Sequence, residues 1–371
     1  MKEHNWYELN DPGKIDSPAL LIFKDRVASN IQTMIRIAGD ASRLVPHVKT
    51  HKMAEIVKMQ ISAGIYQFKC ATIAEAEMLA LTGAKNILLA YQLTATKAGR
   101  FIQLIKKYPD IQFSSLVDNF DSACLLHELF LKENMIAKVF IDVDAGMHRT
   151  GIAPDDSLFN LYKELDQLSN ISCNGLHVYD GNIREENFEL RKEQCENDFA
   201  KVNEIVEKII SLGFPDPLII AGGTPTFTVH ALHDGVFCSP GTCLLWDYGY
   251  DQLLPEQPFK FAVVLMTRII SKPARGLITT DLGHKSVAAE NAVSKRIFFL
   301  NLENYIVRSQ SEEHLVVEVN NWDDIHVGDV LYGIPHHICP TVALYDEAHI
   351  IDQGMLVDVW NIIARKKKIT I

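Results

Sequence analysis

The 371-residue sequence has no excess of basic side chains: 36 Lys and Arg stand against 47 Asp and Glu, a formal net charge of −11. A nucleic-acid partner needs a basic face, so this balance excludes that class of function, though not a local basic pocket for one small anion. There is also no apolar run long enough to cross a bilayer. The opening Met1-Lys2-Glu3-His4 leads into polar residues and lacks the apolar core of a signal peptide. The seven cysteines are odd in number and follow no pairing pattern. Free thiols in a reducing, cytoplasmic compartment are the expectation. The basic end Arg365-Lys366-Lys367-Lys368 is short and reads as solvated. A dinucleotide-type glycine fingerprint is missing after the first candidate strand.

What is present is ordinary globular material, with 47% hydrophobic and 22% charged residues. The length suggests one large domain and a smaller one. From Leu44 to Gly241, short apolar segments alternate with amphipathic ones. The strands are expected at Leu44–Lys49, Phe68–Thr72, Ile87–Tyr91, Phe113–Asp118, Val139–Asp144, Gly175–Tyr179, Leu218–Gly222 and Val236–Pro240. Each is brief and mostly apolar, as a strand buried on both faces must be. Ile73–Leu81 and Phe188–Leu212 carry apolar residues at helical spacing. The last connection alone is short and polar. Eight strand–helix units predict an α/β fold of the closed (β/α)8 TIM-barrel kind, with an open doubly wound sheet as the alternative. After Pro258, segments rich in Val, Ile, Phe and Thr, at Phe261–Ser271, Gly276–Asp281, Arg296–Leu302, His314–Val319 and Val327–Gly333, predict a β-rich, barrel-like C-terminal domain. The expected division is 20–255 for the barrel and 1–19 with 256–371 for the β-rich domain.

A parallel barrel carries its active site at the C-terminal ends of its strands. The first end is Pro46-His47-Val48-Lys49-Thr50-His51-Lys52, which offers an amine where a loop begins. Desolvated, such a lysine loses its proton and attacks a carbonyl; otherwise it is a solvated basic cluster. The fifth end leads through Asp144-Ala145-Gly146-Met147-His148 to Arg149, and the sixth ends at Tyr179. The seventh and eighth carry Gly222-Gly223-Thr224 and Gly241-Thr242. Glycine turns aim backbone N–H groups at an anion and threonine adds a hydroxyl, which suits a phosphate. A lysine opposite a phosphate cradle suggests pyridoxal phosphate. Arg149 then serves the phenolic oxygen or a surface ion pair, and Tyr179 faces the ring or packs in the core. Near the C-terminus, His337 and Cys339 would share one face of an extended segment and supply half of a zinc site, or simply pack together. His336 and His349 are further ligand candidates.

These segments resemble those of the D-threonine aldolase and D-serine dehydratase family, whose members pair an alanine racemase type of barrel with a β domain. The resemblance spans nearly the whole chain. It rests on Pro46–Lys52, Asp142–Gly151, Gly222–Thr224, Pro240–Thr242 and His337–Thr341. It implies Lys49 as the lysine that binds pyridoxal phosphate, Arg149 at the ring oxygen, Tyr179 near the pyridine nitrogen, and His337 with Cys339 as ligands of a divalent metal. It further implies a homodimer acting on a small D-amino acid. Two features depart from the aldolase pattern. His-x-Cys stands for His-x-Asp, favouring zinc over manganese or magnesium, and Tyr179-Asp180-Gly181 stands for Tyr-His-Gly. D-Threonine aldolase is the first expectation. D-Serine or 3-hydroxyaspartate dehydratase is the second, and an amino-acid racemase the third.

Overall fold

The computed structural model describes residues 5–371. The chain forms two compact units, one comprising 1–33, 50–56 and 242–365, the other 34–49, 57–241 and 366–371. The division therefore falls at neither 20 nor 255. Strand β1 (Ala19–Phe23) pairs with strands of the C-terminal region, and the chain from Thr242 onward folds with that region, which moves both borders inward.

The second unit holds the parallel strands β2 (Gln67–Cys70), β3 (Asn86–Gln92), β4 (Gln112–Val117), β5 (Ala137–Asp144), β6 (Ile171–Tyr179), β7 (Leu218–Ala221) and β8 (Val236–Cys238), hydrogen-bonded in chain order. The segment expected as the first strand closes the curl by single parallel bridges, Leu44 to Cys238 and His47 to Lys69. Its amides reach both neighbours: Val45 and His47 donate to Cys238 and Pro240 (both 2.8 Å), and Val48 donates to the Lys69 carbonyl at 2.9 Å. Pro46 has no N–H to give, so the segment never becomes a regular ladder strand. Val45, Leu88, Leu116, Phe140 and Ile220 pack as one buried cluster. They come from five different strand positions around the curl, so the interior is filled by side chains.

Helices fall between the strands with local stop signals. Thr72 accepts from the Glu75 amide and Glu75 accepts from the Ala71 amide, a reciprocal cap that starts the helix Ile73–Thr82. Gly83, at φ +92°, ends it. Asn119, Asp155 and Asn187 cap the helices Phe120–Lys132, Asp156–Asp166 and Phe188–Ser211. The connection read as short and polar holds one helical turn, Phe227–His230.

The first unit is built on a nine-stranded sheet. To β1 it adds β9 (Val263–Ala274), β10 (Leu277–Thr280), β11 (Ile297–Phe299), β12 (Tyr305–Gln310), β13 (Leu315–Val319), β14 (Val330–Pro335), β15 (Glu347–Asp352) and β16 (Met355–Asn361). β1 lies between β9, antiparallel, and β15, parallel. Leu21, Phe23, Val264, Met266, Tyr332, Ile334 and Ile351 form its core with Tyr7 and Leu9. No helix among the described residues is long and apolar enough to cross a membrane.

Candidate active site

The C-terminal ends of the barrel strands gather cations around one tyrosine. Tyr179 is the last residue of β6, and three cationic groups face its ring. Lys49 Nζ lies 5.8 Å from the centroid, Lys69 Nζ 5.6 Å and Arg149 Cζ 5.1 Å. Lys49 is half-buried, and its Nζ has no carboxylate or hydrogen-bond partner among the described residues. Arg149 is exposed and likewise lacks an ion pair there, so the surface salt bridge is not its role. Its loop is held by Asp144, which accepts from the amides of Gly146 (3.0 Å) and His148 (2.9 Å).

The glycine turns are close-packed. Gly222 adopts φ +76°, and a Cβ there would meet His230 Cδ2 at 2.6 Å; a Cβ on Gly223 would meet Tyr179 Cε2 at 3.0 Å. Only glycine leaves the backbone open at this point. The Gly223 amide donates to Thr226 Oγ1 and the Gly241 amide to Thr224 Oγ1, both at 3.3 Å. The buried Ser239 hydroxyl, just ahead of Pro240-Gly241, has no partner among the described residues. An unpartnered amine, an unpaired guanidinium, a glycine-lined turn and an orphaned buried hydroxyl fit a phosphorylated aldehyde such as pyridoxal phosphate.

Thr242 stands apart from this set. Its Oγ1 lies 3.4 Å from Cys339 Sγ, and Thr50 Oγ1 lies 3.1 Å from the same sulfur. His337 hydrogen-bonds Cys339 and also holds Glu290 Oε1 2.5 Å from its Nδ1. Burial pulls the His337 imidazolium down, but Cys339 and Glu290 outweigh it and push it up to about 9. Burial pushes the Cys339 thiol up, yet His337 and the two threonine hydroxyls hold it below its ordinary value. Once each has given up its proton, the Cys339 sulfur and the neutral His337 imidazole make a soft donor set that fits a divalent ion such as zinc. The pair does not lie on extended backbone as expected. His337 is the N-cap and Cys339 lies within the helix Ile338–Val342, whose first turn tolerates Pro340. Asp247 accepts from the Ile338 amide at 3.0 Å and anchors that turn. His336 packs on Tyr248 and His349 lies in β15; neither forms a three-ligand group with this pair among the described residues. Trp246 is a core residue against Phe259 and Tyr250. Asp281 is structural, accepting from Ser17 and Thr267 hydroxyls at 2.5 Å.

Two groups were not legible in the sequence. One is Lys69, buried in the middle of β2; a lysine inside an otherwise apolar strand was the available signal. The other joins Asp180, Cys195 and His230, whose ligand atoms lie within 4.8 Å of one another. Asp180 Oδ2 is 2.7 Å from His230 Nε2, and its Oδ1 accepts from Thr226 Oγ1 at 2.7 Å. That is hydrogen-bond length, well short of the roughly 3.3 Å between ligands of a tetrahedral ion with bonds near 2.0 Å. The cluster is a latch: it ties the end of β6 to the Gly222–Thr226 turn. Burial pushes the Asp180 carboxyl up, but His230 and the Thr226 hydroxyl outweigh it and hold it below the usual range. Its stabilisation is thus present above the unfolded carboxylate pKa and fades as pH falls through the folded one. Asp180→Ala is expected to cost about 3–5 kcal/mol at pH 7, read from urea unfolding, with the gap to the parent narrowing in acid. An unchanged midpoint at pH 7 would disprove the latch.

Comparison with known proteins identifies related chains. Residues 22–249, more than half of the chain, match the family model for the alanine racemase N-terminal domain. Residues 262–351 match a serine dehydratase domain model. The chain is 24% identical over 369 residues to the 3-hydroxy-D-aspartate aldolase of Paracoccus denitrificans (strain Pd 1222), covering 96% of this chain and 94% of that one. It is 27% identical to the D-threo-3-hydroxyaspartate dehydratase of Delftia sp. (strain HT23), covering 94% and 97%. The crystal structure of D-threonine aldolase from Filomicrobium marinum has the same fold, with a TM-score of 0.87 at 23% identity over 95% of this chain and 97% of that one. The chain belongs to the alanine racemase N-terminal-domain family, with a β-rich second domain of the serine dehydratase type.

Proposed function

We propose that the protein is a pyridoxal phosphate- and divalent metal-dependent lyase acting on β-hydroxy D-amino acids, and that its main reaction is cleavage of D-threonine to glycine and acetaldehyde. The observation that carries this reading is the unpartnered Lys49 amine, set with Arg149 around Tyr179 at the ends of the barrel strands. Lys49 would supply the nitrogen that holds the cofactor's aldehyde carbon. Arg149 would offer a cation to the phenolic oxygen, and Tyr179 would wall the ring. Gly222, Gly223 and Gly241, beside Thr224, would leave room for the phosphate, and the Ser239 hydroxyl would offer it a donor. When bound, pyridoxal phosphate supplies the electron sink for charge left at Cα. His337 and Cys339 would hold the metal, which supplies Lewis acidity toward a β-hydroxyl. Glu290 fixes the orientation of the His337 ring. The names of the aldolase relatives support the substrate class.

A second reading is β-elimination, giving a keto acid and ammonia. Two observations favour it. Cys339 puts a sulfur beside His337, the His-x-Cys pattern of the dehydratase branch. Asp180 is turned into its latch with His230, so the residue after Tyr179 offers no free base. Incubation with D-threonine, D-serine and 3-hydroxy-D-aspartate decides between them. Glycine with acetaldehyde from D-threonine is the expected result; pyruvate from D-serine or oxaloacetate from 3-hydroxyaspartate would select elimination. No product from any of the three, with pyridoxal phosphate and zinc or manganese supplied, would refute both.

A further inference from the structure

Lys69 is 2% exposed, and no carboxylate pairs with it among the described residues. A buried ammonium without an ion pair is costly, so the site must either keep the amine neutral or supply an anion. Among the described residues the one hydrogen-bond partner of its amine is His177 Nε2, at 3.3 Å. His177 is itself buried, and its Nδ1 lies 2.7 Å from Asp142 Oδ1. The other Asp142 oxygen accepts from Gln92 Nε2 at 2.7 Å. Burial pushes the Asp142 carboxyl up, but the bonds from His177 and Gln92 hold it below its usual range, so it is an anion. The proton of His177 therefore sits on Nδ1, facing Asp142, and its Nε2 lone pair accepts from the Lys69 amine. Burial first, and the Lys69 charge when the amine is protonated, push the His177 imidazolium down.

The relay runs from Gln92 on β3 through Asp142 on β5 and His177 on β6 to Lys69 on β2. It ends at the Tyr179 ring that Lys49 and Arg149 also face. Nothing in the lyase reading requires a second lysine there.

We propose that Lys69 is a charge-setting, positioning residue of the cofactor pocket: held by His177 and Asp142, its amine takes up one proton when an anionic cofactor binds and releases it when the cofactor leaves. The inference rests on the reading of this pocket as a pyridoxal phosphate site. The proton balance is simple. The neutral amine and a proton from the buffer become an ammonium, and no bond to carbon forms or breaks. The groups facing the amine are Lys49 and Arg149, which disfavour its charge, and Asp142 and Asp180, which favour it. Burial, then Lys49, brings the amine down to about 7 in the cofactor-free protein. A phosphate and a phenolate brought alongside shift that balance toward the ammonium.

The test is calorimetric titration of the full-length, cofactor-stripped protein with pyridoxal phosphate at pH 8. Two phosphate-free buffers of different ionisation enthalpy report protons, and the visible band independently reports binding. The parent should take up about 0.9 proton more per site than Lys69→Met, the fraction of an amine titrating near 7 that is neutral one unit higher. Lys69→Met should bind at least roughly tenfold more weakly, the ratio of neutral amine before and after binding that such an uptake requires. Lys69→Arg, always charged, should regain affinity to within about threefold while showing no extra uptake. Circular dichroism checks that each variant is folded, and the arginine variant keeps the test open if the methionine one is not. Equal proton counts in folded variants and a parent that forms its visible band would overturn this inference alone. A parent that forms no band would overturn the pocket reading, and this inference with it.

Discussion

Lys49→Ala is expected to lose the visible absorbance of bound cofactor and to lower lyase activity by at least about a thousandfold. The amine is the only one of the three cations at Tyr179 that lies on the closing segment of the barrel, beside the bridge of His47 to Lys69. Alanine removes the nitrogen while leaving the Val45, His47 and Val48 backbone bonds that seat the segment. Folding should therefore survive, and a normal circular dichroism spectrum with a missing band is the diagnostic pair. Borohydride treatment of the parent followed by peptide mapping should find the label on Lys49. A label on Lys69 would invert the roles given to the two amines, and an intact band in Lys49→Ala would place the covalent link elsewhere.

Loss of the metal pair is expected to be nearly as damaging. Prolonged chelation should reduce turnover on the order of a thousandfold, and zinc or manganese should restore it. His337→Ala and Cys339→Ala should each show the same loss without recovery at ordinary metal concentrations, because each removes one of the two proposed ligands. Glu290→Gln should keep both ligands and weaken metal binding by roughly 10–100-fold, measured with a competing chelator. Cys339→Asp is the informative swap: a carboxylate in place of the thiolate should move preference from zinc toward manganese. Full activity after exhaustive chelation would remove His337 and Cys339 from the chemistry.

Much of the architecture could be read in the sequence because its strands obey a local rule. Segments such as Ile87–Tyr91 and Val139–Asp144 are apolar on both faces, and the observed strands start and stop within a few residues of them. Elements without that signature escaped. β15 and β16 mix Glu347, His349 and Asp358 with apolar residues, and β16 leaves Met355, Val357 and Val359 exposed. β12 ends in Arg308-Ser309-Gln310 with a register shift against β13, which blurs its alternation. Most of β1 fell within the span 20–255 assigned to the barrel because its partners, β9 and β15, lie hundreds of residues further along.

The site divides in the same way. Lys49, Arg149, Tyr179 and the glycine turns sit where a strand ends, and strand ends are visible in sequence. Asp180 with Cys195 and His230, and Lys69 with His177 and Asp142, are brought together only by the closing of the barrel. No spacing rule links 69 to 177 or 180 to 230. The His337–Cys339 pair was found by spacing yet misjudged in backbone, since a short helix opens at Ile338.

The interleaving of the two units bears on how such enzymes can be recombined. The chain passes from one unit to the other after Thr33, Lys49, Ile56, Gly241 and Arg365. A chimaera joined at a single breakpoint after Gly241 would take β9 and β15 from one parent and β1, which sits between them, from the other. Breakpoints that exchange a whole unit must cut at all five of these crossings. Shuffling that ignores these seams breaks the sheet before it reaches the chemistry, so donor and recipient genes have to be matched at each.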